Sequence, residues 1–270
     1  MFTEVYPSGM PWLVAQGNKY GYATNYRADS PGSALDYLWL ASGSCHAQDC
    51  APLPGGTHDF HCTGDGCFDP TTGNQDPITD DNIFRELGRA GLTWKVYAQS
   101  LPSAGYMGYF SGAYVARHNP AVWYSDVLDS AALQQNIVPL TQLAADMAAN
   151  QLPNYSIIIP DLDNDAHDGT LQQADNFLSS NVAPLLNTQY FQAGGDGLMF
   201  VTFDECDAAV GACPEQVYTA VIGPKVKPGT VSSSLYKHES TLRTIVDALQ
   251  VGVYPGAASG AVDMTDFFQQ

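Results

Sequence analysis

The chain has 270 residues, with 28 Asp and Glu against 10 Lys and Arg and a formal charge of −18. A surface this acidic repels a polyanion, and the Lys and Arg clusters that drive nucleic-acid binding through counterion release are missing, so most nucleic-acid binders are excluded. A hydrophobic content of 45%, including 15 Tyr, 11 Phe and 4 Trp, excludes disorder. No stretch approaches the roughly 20 apolar residues of a bilayer-spanning helix, so no transmembrane segment is expected.

The elements alternate between helix and strand. An amphipathic start leads to the strand YGYATNY, a turn at Asp29-Ser30-Pro31-Gly32 and a helix from Ser33 to Ala41. Residues 44–80 are irregular and rich in Cys, Gly and Pro, the mark of a pinned surface excursion. Asp80-Asp81-Asn82 offers N-caps for the helix NIFRELGRAG, which closes on Gly91 before the strand TWKVYAQ. LTQLAADMAANQ reads as a helix before YSIIIP, an apolar run expected to be a strand buried on both faces. LQQADNFLSSNVAPLL reads as a helix, GLMFVTF and VYTAVIG as strands, and TLRTIVDALQV as a closing helix. Strands separated by helices predict an α/β fold with a mostly parallel central sheet covered on both faces. With no internal repeat or low-complexity linker, residues 1–270 are expected to form one domain.

The six cysteines lie in three close pairs, Cys45/Cys50, Cys62/Cys67 and Cys206/Cys213. An even count in an acidic, Lys-poor chain favours disulfides, and with them a secreted or periplasmic location. Six cysteines allow 15 connectivities, of which sequential pairing is the simplest. A zinc site at the first four, near His46, His58 and His61, is the alternative; the tight CxxC knuckles usual for structural zinc are missing. The opening MFTEVYPSGMPW has no charged region followed by an apolar run, so a signal peptide is expected to be removed or to lie ahead of this start.

Ligands of open α/β sheets bind beyond the carboxyl ends of the strands. After YSIIIP come Asp161, Asp163, Asp165, His167 and Asp168, and after GLMFVTF come Asp204 and Glu205. Such crowding of carboxylates favours a nearby divalent cation. An EF-hand is a poor reading of DLDNDAHDG, because Ala166 stands where the sharp turn needs Gly; a solvated acidic turn is the plainer one. Ser33 falls at the first turn of its helix, where free N–H groups and the dipole favour a phosphoryl group; an ordinary N-cap serine is the commoner role. His118-Asn119 and His238 have plain readings as a loop histidine and as a residue before a helix that Glu239 or Ser240 caps.

In combination these segments carry more. NIFRELGRAGLTWKVYAQSLP, VARHNPAVWY, LPNYSIIIPDLDNDAHDG, GLMFVTFDE and KHESTLRTIVDAL, in this order over roughly residues 5–250, closely resemble the bacterial phosphoesterase family of secreted acid phosphatases and phosphatidylinositol-3-phosphatases, which has phospholipases C as larger relatives. The resemblance implies a three-layer α/β/α sandwich of alkaline-phosphatase type and metal-assisted hydrolysis of phosphate monoesters through a phosphoserine. It implies Ser33 as nucleophile, Asp204, Glu205 and Ser33 as metal ligands, and His118 and His238 as catalytic groups. His167, Asn119 and Asp36 are implied for substrate binding, Asp36 standing where the family has Asn. Asp161 and Asp165 are further candidates. The cofactor would be a divalent ion, Ca, Mg or Zn, and the substrate a small-molecule or lipid-headgroup phosphate ester. Family members open with an apolar strand and a Glu-Asn pair of metal ligands; here these are expected to lie ahead of Met1-Phe2. The other readings are a phospholipase C-type phosphodiesterase and a non-catalytic phosphate-ester or metal binder. A sulfatase-like hydrolase is disfavoured by the lack of a Cys-x-Pro-x-Arg signature.

Overall fold

A computed structural model describes residues 1–30, 32–44, 77–205 and 216–269. The three cysteine pairs, with His46, His58 and His61, lie outside these residues, as does most of the 44–80 excursion. The described chain is mixed α/β, and it divides into two compact units, each assembled from separated stretches of sequence. Elements are numbered along the chain.

The first unit comprises Met1–Ala28, Leu162–Lys237 and Val262–Gln270. It contains helices α1 (Phe2–Val5), α2 (Pro11–Lys19) and α8 (Leu171–Phe177), and strands β1 (Gly21–Arg27), β7 (Met199–Val201), β8 (Gln216–Ile222) and β9 (Thr230–Ser232). The strands form a sheet in the order β7-β8-β1-β9. The β7–β8 and β8–β1 pairings are antiparallel and β1–β9 is parallel. The antiparallel β7–β8 pair departs from the parallel pattern expected, because these consecutive strands pair directly as neighbours.

Strand β8 shows how its sequence builds two cores. Tyr218, Ala220 and Ile222 pack with Leu13 and Val14 of α2, while the alternate residues Val217 and Val221 pack with Met264 and Phe267. In β1 the register shifts between Ala23 and Tyr26. The bulge changes the phase of alternation, so Tyr26 joins Ala23 on one face rather than Tyr22 on the other. The start of α2 is capped from α8: the buried Asp175 carboxylate accepts from Trp12 N–H and Leu13 N–H, both at 2.9 Å.

The second unit comprises Asp29–Asp161 and His238–Ala261. Its helices are α3 (Ser33–Ser42), α4 (Ile83–Arg89), α5 (Ser125–Leu128), α6 (Ala131–Gln134), α7 (Thr141–Ala149) and α9 (His238–Ala248). Its strands are β2 (Trp94–Ala98), the short hairpin β3 (Phe110–Ser111) and β4 (Tyr114–Val115), β5 (Ile137–Pro139) and β6 (Tyr155–Ile159). Strands β5-β2-β6 form a wholly parallel sheet. Asn82 caps α4 as its sequence predicts, its side chain accepting from Arg85 N–H at 3.0 Å. The sheet is tied to α7 by Asp146, whose carboxylate meets Lys95 Nζ at 2.5 Å, Tyr97 Oη at 2.6 Å and Gln142 Nε2 at 2.8 Å.

Two expectations change in detail. The strand read as buried on both faces, β6, has only Ile159 fully buried, because it ends the order β5-β2-β6 instead of lying inside it. The helix read over LQQADNFLSSNVAPLL is regular only through Phe177; a wider turn covers Leu178–Val182 and a tighter one Ala183–Asn187. Pro184 lacks the N–H that would continue an α-helix.

Candidate functional site

The site is built on α3 and α9, which pack against each other in the second unit. Gly32 occupies the cap position of α3 at φ 102°, a region that L side chains rarely adopt, and Ser33 is the first residue of the helix. Ser33 therefore lies one place beyond the N-cap role that its sequence also allowed. At the far end Gly43 stops α3 at φ 65°, and a Cβ there would lie 2.7 Å from Pro255 O, so only glycine fits. Ser33 and Asp36, three residues apart, share one face of the helix. Both are buried.

Asp36 is fully buried, and its Oδ1 accepts from Asp29 N–H at 2.8 Å and Ser30 N–H at 3.1 Å. His238 is the first residue of α9, not a residue ahead of a helix capped by Glu239 or Ser240. Its Nδ1 lies 3.1 Å from Asp29 Oδ2 and 3.4 Å from Asp36 Oδ1, and its backbone N–H donates to Asp29 Oδ2 at 3.1 Å. All three side chains are at most 1% exposed. Burying two carboxylates is expensive unless donors or a cation compensate, and backbone N–H groups together with the imidazole do so here.

Asp29, Asp36 and His238 each offer a ligand atom, all within 4.8 Å of one another, and form the one such His/Cys/Asp/Glu group among the described residues. The set can hold a metal ion. One imidazole nitrogen and two carboxylates suit zinc or a similar N/O-binding ion better than calcium, which takes oxygen ligands.

The other expected residues of this unit are His118, Asn119 and Asp161. His118 ends the turn Ala116–His118, is buried, and stacks on Tyr37 of α3 with ring centroids 5.4 Å apart. Asn119 is buried with both ends of its amide engaged: Nδ2 donates to Tyr114 Oη at 3.2 Å and Oδ1 accepts from Ala121 N–H at 3.2 Å. Asp161, just after β6, accepts from Ser100 Oγ at 2.6 Å, and its N–H donates to Gln99 Oε1 at 3.2 Å.

The remaining candidates belong to the first unit. Asp165 Oδ1 accepts from His167 N–H at 2.8 Å, and His167 Nδ1 lies 2.8 Å from Asp168 Oδ1. The loop turns through Ala166 at φ 72°. Asp204 and Glu205 are half-buried and follow β7.

Asp29 was legible only as a turn residue. The signal for it is the one that picked out Asp161 and Asp204: a carboxylate just beyond a strand's carboxyl end, here two residues after Arg27 closes β1.

These observations define a mixed α/β protein with a serine at a helix start and a buried carboxylate–imidazole cluster beside it. Residues 10–252 match the phosphoesterase family, and the chain belongs to that family. It is 33% identical over 252 residues to a phosphate-repressible acid phosphatase of Penicillium chrysogenum, covering 90% of this chain and 55% of that protein. It is 28% identical over 246 residues to an acid phosphatase of Aspergillus fumigatus, covering 87% of this chain and 49% of that one. With a phosphatidylinositol-3-phosphatase of Mycobacterium tuberculosis it shares 31% identity over 189 residues, 69% of this chain and 58% of that protein. The family expected to be bacterial thus includes fungal relatives, and the chain spans about half the length of the curated relatives it matches.

Proposed function

We propose that this protein hydrolyses phosphate monoesters in the manner of an acid phosphatase, with Ser33 as nucleophile. The observation that carries the reading is the placement of Ser33 as first residue of α3, three residues before Asp36 and its contacts to Asp29 and His238. The dipole at a helix start favours a phosphoryl group placed beside it. Ser33 Oγ attacks phosphorus in line as its proton leaves, giving a phosphoserine and an alcohol. His118, or His238 where it does not ligate an ion, delivers a proton to the departing oxygen, and water then releases phosphate. Asn119, engaged at both ends, supports the turn that presents His118. His167, Asp161, Asp165, Asp204 and Glu205 remain candidates for substrate or metal contact on the family resemblance, and the alkaline-phosphatase-like three-layer sandwich belongs to the same reading.

A divalent ion is part of this reading: Asp29, Asp36 and His238 are the residues that would hold it, and when bound it would neutralise phosphoryl charge. The phosphatidylinositol-3-phosphatase relative favours a lipid-borne phosphate as a second substrate class beside small soluble esters. Disulfides and a secreted or periplasmic setting fit the cysteine pattern. Phosphate release from a chromogenic monoester tests the proposal. Ser33→Ala is expected to lose on the order of 10³-fold or more in turnover; undiminished turnover eliminates Ser33 as nucleophile.

A further inference from the structure

We infer that Tyr37 is a positioning residue: its ring is the platform that sets His118 over the face of α3 that begins with Ser33, which makes His118 the group that protonates the departing oxygen. The inference rests on the reading above for what Ser33 and His118 do, while the stack itself stands on geometry. Tyr37 lies four residues after Ser33 and one after Asp36, so the three share a face of the helix. Long side chains on a helix lean back toward its N-terminus, which directs the Tyr37 ring over the turn that Ser33 opens. The His118 ring lies on it with centroids 5.4 Å apart and planes 19° from parallel, the offset-stacked arrangement that aromatic pairs prefer.

The main chain that bears His118 is fixed separately. Ala116 N–H donates to Tyr109 O at 2.8 Å, and Asn119 N–H donates to Ala116 O at 2.8 Å, so the turn is held at both ends. These bonds place the backbone of His118 but do not choose its side-chain rotamer; a flat neighbour does. Helix α3 packs on this turn and on the next, Pro120–Trp123, and His118 is buried, so its ring cannot leave the Tyr37 face without repacking. Stacking engages the face of an imidazole and not its nitrogens, which lie in the ring plane. The contact therefore orients His118 without consuming the atom that carries the proton. The same helix face meets the other histidine differently, through Asp36 Oδ1 at 3.4 Å from His238 Nδ1.

The test compares two leaving groups. An acid that protonates the departing oxygen matters most when that oxygen leaves poorly, so misplacing it should penalise glycerol 2-phosphate and spare 4-nitrophenyl phosphate. Tyr37→Leu is expected to lower kcat/KM about 10- to 100-fold for the alkyl ester and no more than about threefold for the aryl one. Tyr37→Phe, which keeps the ring, should stay within about threefold of wild type on both. His118→Gln should show the same selectivity as Tyr37→Leu, with at least as large a loss. Equal losses on the two esters in either variant, no loss in Tyr37→Leu, or a Tyr37→Phe protein as impaired as Tyr37→Leu overturns the proposal. A measurement on the unaltered protein covers the case in which Tyr37→Leu does not fold: a nuclear Overhauser effect between the ring protons of Tyr37 and His118 is expected, and its absence overturns the proposal. If the selective losses appear while Ser33→Ala keeps its turnover, the platform and the acid stand and the nucleophile fails.

Discussion

Two regions of this protein use the same chemical groups in opposite ways. At the start of α3 and α9, two aspartates and one histidine are at most 1% exposed and hold backbone N–H groups as well as each other. In the loop after Leu162, Asp165, His167 and Asp168 also contact one another, but His167 is 44% exposed and Asp168 58%. These two contacts are local, between residues one or two apart in sequence. In the first region the contacts join residues as far apart as Asp29 and His238. Long separation and burial make the first cluster a structural commitment that local, solvated contacts do not make.

The largest break in this contrast is expected from Asp36→Ala. Removing its carboxylate strands the N–H groups of Asp29 and Ser30 and one neighbour of His238, and is expected to cost about 3–5 kcal/mol in urea unfolding. A loss below about 1 kcal/mol would put the cluster on the same footing as the loop. Asp36→Asn, which keeps an acceptor oxygen, should lose less.

Asp146 sharpens the comparison, because it is a buried carboxylate paired with a lysine. Burial alone would raise its pKa, but the Lys95 ammonium and the donors Tyr97 and Gln142 outweigh that and hold the carboxyl below its ordinary value of 3.8. A depressed carboxyl stabilises the fold above its unfolded value, and that stability disappears as pH falls through the lower folded value. Asp146→Asn should therefore lose about 2 kcal/mol near neutral pH and almost nothing in strong acid, read by denaturation across the acid range. A difference that stays constant with pH would remove the ionic part of this account.

The smallest effects are expected in the exposed loop. His167→Ala and Asp168→Asn should each change unfolding free energy by no more than about 0.5 kcal/mol. A loss several times larger in either would mean that the loop is held together as the buried cluster is.

The sequence was most legible where a rule acts locally. Asn82 capping α4, the serine at the start of α3, and the strands around YGYATNY and VYTAVIG all follow from capping, turn chemistry and the residue make-up of short runs. Legibility failed where the partner is remote. The run Ile157–Ile159 looks doubly buried because apolar composition records a preference, while the strand's place at the end of its sheet decides how far the preference is met. Asp29 reads as a turn aspartate because Asp is common in turns, and nothing near it in sequence announces a bond to His238.

By itself, then, the sequence determined the alternation of helices and strands, the acidic character and the serine at a helix start, since each depends on residues a few places apart. Only the tertiary structure decided that Asp36 and His238 meet at Asp29. That depends on how the chain returns after Lys237 to set α9 against α3, and no local pattern encodes the return. Packing removes water from these two helix starts, and there the carboxylates and the imidazole become one another's solvent.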